Sequence, residues 1–199
     1  MARNTIKIKN TVNWQAFSCV RSLILKLTIL ALCLATASIG RAQPPITFMN
    51  GMTGGGAFYL IAVPEDWIGD LVIWNHGFTL DAPGPLSKED LGPLASIQLD
   101  ERYAVAASSF RQAGWALFKT KNDLQNMFGE FKDHFGEPNQ VIVTGGSLGG
   151  AVTAQAIEKA HIGNVVGAYS LCGAVAGSRN WDGALDLRLI YDVIADGIA

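Results

Sequence analysis

The chain has 199 residues, 49% of them hydrophobic and 16% charged, which supports a packed core and excludes a disordered or collagen-like protein. One domain is the expectation at this length. The formal charge is −2, but positions 1–42 hold six basic residues and no acid, so the remainder sets nine basic residues against 17 acidic ones; an acidic body argues against nucleic acid as the main partner.

The basic front end comes first. Arg3, Lys7, Lys9, Arg21 and Lys26 precede an apolar run, "LTILALCLATASIG", which is followed by "RAQ". A basic start, a short apolar stretch and small residues at Gly40 and Ala42 predict a secretory signal peptide over 1–42, cut after Ala42. The expected mature domain is then 43–199, secreted or periplasmic. The apolar run is too short to make a good bilayer span, so no stable membrane span is expected after cleavage. An uncleaved membrane anchor is the alternative. Cleavage removes Cys19 and Cys33 and leaves Cys172 alone, which excludes a disulfide framework. Cys172 lies in the apolar stretch "VVGAYSLCG" and is expected to be a buried core thiol.

Along the mature chain, "GMTGGG" at 51–56 lacks the Gly-Lys-Ser/Thr ending and the preceding strand of a phosphate loop. It reads as a flexible lead into the first strand, "AFYLIAVP" at 57–64, which is rich in aromatic and branched residues and closed by proline. "LVIWNHG" at 71–77 is a continuous apolar run that suits a strand buried on both faces. Residues 79–93 carry three of the seven prolines and read as a loop. "YAVAASSF" at 103–110 is the next strand. From Lys121 to Phe135 the period changes: Leu124, Met127, Phe128, Phe131 and Phe135 fall at helical spacing, and "GEPNQ" ends that helix. "VIVTGG" is a short buried strand, "SLGGAVTAQAIEKAH" an alanine-rich helix, and "VVGAYSLCG" a further strand. Strands alternating with helices predict a three-layer α/β/α sandwich with a mostly parallel sheet.

The stretch "TGGSLGG" contains Gly145-Gly146-Ser147-Leu148-Gly149, a G-x-S-x-G pattern. Alone it is weak. Its setting, after a buried strand and at the opening of a helix, is the setting in which such a serine is a nucleophile. A sharp strand-to-helix turn lifts the hydroxyl of Ser147 clear of the sheet, and the close backbone approach there tolerates little beyond glycine. The helix start supplies free N–H groups and a positive dipole end for developing negative charge. The N–H of Leu148 is the expected first oxyanion donor, and the loop at "WNHG" is expected to offer a second from Gly77 or Phe78. His76 is then a structural residue of that loop. Phe78, just beyond it, is placed to touch substrate or to pack.

"LVIWNHG", "YAVAASSFRQAGWAL", "VIVTGGSLGG" and "YSLCGAVAG", in this order, resemble the N-terminal half of an α/β-hydrolase, nearest to secreted esterase and peptidase-like members. The resemblance covers roughly residues 55–195. It implies a hydrolase of small-molecule esters or peptides that needs no cofactor, with a Ser, acid, His triad whose acid and His follow the serine. The chain departs from that pattern. Its histidines are His76, His134 and His161, and His161 stands 14 residues after Ser147 at the far end of the helix the serine opens. At about 1.5 Å per residue that helix sets them about 20 Å apart. Asp182, Asp186 and Asp192 follow the final strand in a stretch that reads as a loop and a helix start. The expectation is an α/β-hydrolase fold lacking its last strands, with neither triad partner identifiable. The alternative is a non-catalytic, degenerate hydrolase-like binding domain or gene fragment.

Elsewhere the acids show no metal-ligand spacing, and a lone cysteine builds no zinc site, so no metal is expected. Trp67, Trp74, Trp115 and Trp181 read as packing residues. Arg111 reads as a surface residue, with lining the cleft as the alternative. Neither the oligomeric state nor the choice between ester and amide follows from the sequence.

Overall fold

The structure, a computed structural model, describes residues 44–177 and 179–195. The expected signal peptide, with Cys19 and Cys33, lies outside the described residues. Six strands form one sheet: β1 (Ile46–Met52), β2 (Phe58–Pro64), β3 (Asp70–Asn75), β4 (Ala104–Ser108), β5 (Gln140–Gly146) and β6 (Val165–Leu171). The helices are α1 (Ala95–Asp100), α2 (Leu117–Phe135), α3 (Leu148–Lys159) and α4 (Arg179–Ala195), with a 3-10 turn at Lys88–Leu91.

The spatial order of the strands is β1-β2-β4-β3-β5-β6. β1 and β2 form an antiparallel hairpin, β2 runs antiparallel to β4, and the β4-β3-β5-β6 half is parallel. The sheet is therefore mixed, with its parallel part where the helical crossovers require it. The continuous apolar runs reflect burial on both faces. Tyr59, Ile61 and Val63 of β2 point into one core, with Leu124, Met127 and Phe131 of α2 and Val152 and Ala156 of α3. Leu60 and Ala62, one residue out of phase, join Val105 and Ala107 against Leu91, Ala95 and Leu99 on the opposite face. Each fully buried large side chain contributes about 1.5–3 kcal/mol of burial, so the first core dominates.

α2 follows from its sequence. Its apolar residues sit on one stripe, and it stops where Gly136 takes a φ of 88° and turns its N–H onto the Lys132 carbonyl at 2.9 Å. Two sequence expectations are corrected here, on the stretch before β2 and on Cys172, while 79–93 is the loop the sequence predicts. The stretch before "AFYLIAVP" is not a flexible lead: Ile46–Met52 is a strand, and Thr53–Gly56 is the turn that pairs it with β2. The 79–93 loop contains the 3-10 turn and leads into α1, which supplies the helix of the β3–β4 crossover. Cys172 is exposed, because it follows an outer strand whose residues from Ala168 to Leu171 are all exposed. Trp181 is likewise 63% exposed and touches Trp115 at 5.6 Å between ring centres, whereas Trp67 packs edge-on against Phe131.

Candidate functional site

Ser147 occupies the single residue between β5 and α3. Its φ is 55° and its ψ −121°, a region that side-chain-bearing residues adopt at a cost of about 1–3 kcal/mol. Two backbone bonds hold it there. Its N–H donates to the Leu171 carbonyl at 2.8 Å, and its carbonyl accepts from the Gly150 N–H at 3.0 Å. The residue is exposed while Gly145, Leu148, Gly149 and Gly150 around it are buried.

The glycines are explained by what surrounds them. A Cβ on Gly149 would stand 2.0 Å from the Asn75 carbonyl oxygen and 2.5 Å from that of His76. Only a glycine lets the first turn of α3 press directly on the end of β3. The same contact is braced from the side. Asn75, fully buried, donates from Nδ2 to the Thr144 carbonyl at 3.2 Å and to Thr153 Oγ1 at 3.1 Å, and Thr153 Oγ1 donates to the Gly149 carbonyl at 2.9 Å. Asn75 and Thr153 were not singled out by the sequence; an asparagine ending an otherwise apolar strand was the available signal.

Gly77 lies against the serine: a Cβ built on it would be 3.4 Å from Ser147 Cβ and 4.0 Å from Oγ. Leu148 is the first residue of α3, so its N–H has no intrahelical acceptor. The structure thus brings Ser147, Leu148 and Gly77 together. Gly77 and Phe78 also line a cleft of about 410 Å³ with His76, Thr79, Asp81 and Ser109. Phe78 is 54% exposed there, and Ala82, Pro83, Pro85 and Leu86 add further apolar lining.

No histidine is hydrogen-bonded to Ser147 among the described residues. His76 has Nδ1 2.7 Å from the Gly77 carbonyl, stacks on Phe110 at 4.3 Å, and buries Nε2 without a partner. It holds the loop, as the sequence suggests. His134 is exposed on α2 with Nδ1 on the Glu130 carbonyl, and His161 is exposed beyond the end of α3. Asp182 and Asp186 are exposed on α4, and Asp192 pairs with Arg188 on the same helix. No group of three His, Cys, Asp or Glu residues able to hold a metal ion occurs among the described residues, and no described helix is long and apolar enough to cross a membrane. Arg111 departs from its expected surface role: its Nε and backbone N–H both bond the fully buried carboxylate of Asp123.

No family profile matches the chain, and no curated protein matches it. Solved structures do. An esterase of Pyrococcus furiosus, Pf2001, is similar with a TM-score of 0.53 at 18% identity, over 71% of this chain and 57% of that one. Another crystal form of that esterase gives a TM-score of 0.51 at 17% identity, over 72% of this chain and 62% of that one. A brefeldin A esterase, a bacterial homologue of human hormone-sensitive lipase, gives 0.46 at 16% identity, over 76% of this chain and 46% of that one. The chain therefore spans between about half and three fifths of the length of these similar proteins. From its strand order, its flanking helices and the likeness to the Pyrococcus furiosus esterase, the chain has the α/β-hydrolase fold.

Proposed function

We propose that Ser147 is the nucleophile of a hydrolase acting on ester or amide bonds. The observation that carries this reading is the positive φ of an exposed serine between a buried strand and a helix, with Gly77 against its side chain. In the reaction Ser147 Oγ bonds to the substrate carbonyl carbon and gives up its proton to a base. The carbonyl oxygen gains the electron pair and is held by the N–H groups of Leu148 and Gly77. Collapse expels the alcohol or amine, which takes up a proton, and water then releases the acid and restores the serine. Phe78 gives the substrate an apolar contact at the cleft.

None of the three histidines is engaged with Ser147, so in this reading the base and its acid come from outside the 199 residues. The chain alone then retains about 10³–10⁴-fold acceleration over water, from the oxyanion donors and binding. Efficient p-nitrophenyl ester turnover by the purified chain, abolished by Ser147→Ala, would overturn the assignment of an external base.

The missing histidine contact also favours a second reading, a hydrolase-like domain that binds without catalysis. A fluorophosphonate probe followed by peptide mass spectrometry separates the two. Nucleophilic function predicts slow labelling confined to Ser147 and lost in Ser147→Ala; the binding reading predicts a folded protein that stays unlabelled. Export is proposed on the basic and apolar pattern of residues 1–42. Intact mass of the chain recovered outside the cytoplasm is then that of a protein beginning at Gln43; retention of Met1 in that fraction would refute cleavage.

A further inference from the structure

Beside the β1–β2 turn lies a larger cleft, of about 770 Å³, which shares no residue with the one at Gly77. One wall is a single face of α2, where Asn122, Gln125, Asn126, Gly129, Glu130 and Asp133 recur at helical spacing. The opposite face of α2 is core, so this wall is the helix's outward side. The outer face of an amphipathic helix is charged or polar. This one carries three carboxamides, two carboxylates and a glycine.

The other wall is the turn at Gly54 and Gly55, with Arg111. Arg111 is fixed rather than free: Asp123 takes its Nε, and its Nη2 edge lies over Gly55 beside Asn126, where a Cβ on Gly55 would stand 2.3 Å from Nη2 and 3.0 Å from Asn126 Nδ2. No described residue bonds to the Nη groups. Thr53, also at the cleft and 2% exposed, has a buried hydroxyl without a partner. Gly129 keeps the middle of the helical wall low, and a Cβ added there meets nothing within 4 Å.

We propose that this cleft binds a neutral carbohydrate through its hydroxyl groups. Each carboxamide offers both a donor and an acceptor, the carboxylates accept, Glu130 through the oxygen that Tyr59 leaves free, and the guanidinium edge donates. Sugar hydroxyls each donate and accept, and so pair with groups of both kinds. An anion is disfavoured: Asp123 balances the charge of Arg111, so Glu130 and Asp133 leave the lining of the cleft net negative. An apolar ligand is disfavoured because it would strip water from groups it cannot pair. The assignment is independent of any chemistry at Ser147.

The test titrates the full chain with cellotetraose, xylotetraose and maltotetraose, and with spermidine as a cationic probe. Binding is read by saturation-transfer NMR and calorimetry. At least one tetrasaccharide binds and spermidine does not. Gly129→Leu fills the cleft and weakens binding at least about tenfold. Its melting temperature does not fall, because the site is open and glycine is a poor helix former. Asn126→Ala weakens binding several-fold without touching the helix backbone and decides the matter should Gly129→Leu melt early. The proposal is overturned by no tetrasaccharide binding at about 10 mM, by binding of spermidine alone, or by sugar binding that Gly129→Leu and Asn126→Ala leave unchanged.

Discussion

At the scale of single residues, the turn around Ser147 is set by contacts in which there is no slack. Gly149→Ala forces a methyl against two carbonyl oxygens of the backbone at Asn75 and His76. Backbone atoms cannot yield as a flexible side chain would. The expected loss is about 3 kcal/mol, the upper part of the overpacking range, and denaturant unfolding measures it. Asp123→Ala leaves the Arg111 guanidinium without its partner in a partly buried place, and about 3 kcal/mol is again expected by the same measurement. Tyr59 provides a pH-dependent probe. Burial pushes its phenol above the ordinary value of 10.0, and the Glu130 carboxylate, 3.2 Å away, adds to the rise by its charge and its hydrogen bond. A phenol that holds its proton more tightly when folded contributes stability that is complete below pH 10 and lost as pH rises through its folded pKa. Ultraviolet titration of the folded chain should show one tyrosine ionising late. Glu130→Gln should lower that value only in part, since burial is the larger cause.

At the scale of elements, local pattern and non-local pairing divide what was legible. α2 announces itself through Leu124, Met127, Phe128 and Phe131, and Leu124→Ala is expected to cost about 2–5 kcal/mol. On its other face Gly129→Ala should stabilise the chain by about 0.5–1 kcal/mol, because Ala is the better helix former and the site is open. Thermal melts of the two variants should move in opposite directions. β3 and β4 are readable because both faces of each are largely buried, and β5 because one face is buried and the other half-buried, which leaves short apolar runs. β1 is not, because it is an outer strand with mostly exposed residues and a glycine, and only pairing with β2 makes it a strand. Cys172 departs from its expected burial for a related reason. Its neighbours "VVGAYSL" are as apolar as those of an inner strand, yet β6 lies at the sheet edge. The serine turn was legible because its glycines and its place between strand and helix are local features. The Asn75–Thr153 brace joins residues 78 apart in sequence, so no local pattern announces it.

At the scale of the whole molecule, apolar surface is unevenly distributed. α4 buries none of its residues, and Leu185, Leu187, Leu189, Ile190 and Val193 are each more than half exposed. Val166 and Tyr169 of the outer strand β6 are too. Surfaces of this kind attract one another and present an unpaired strand edge. The chain alone should bind a hydrophobic dye strongly and grow in apparent mass with concentration in light scattering. Leu187→Lys with Ile190→Lys should reduce both; no change would place the sticky surface elsewhere. The strand order has a consequence of its own. From β3 the chain winds toward β2, through α1 on one face, and from β4 it jumps back across β3 to β5 through α2 on the other. The winding therefore reverses between β3 and β5, and the segments leaving their carboxyl ends part toward opposite faces. A crevice opens at such a reversal whatever the side chains are. Gly77 and Ser147 sit on its two lips, so under the proposed function the place for a ligand belongs to the connectivity of the chain, and what happens to that ligand to the serine.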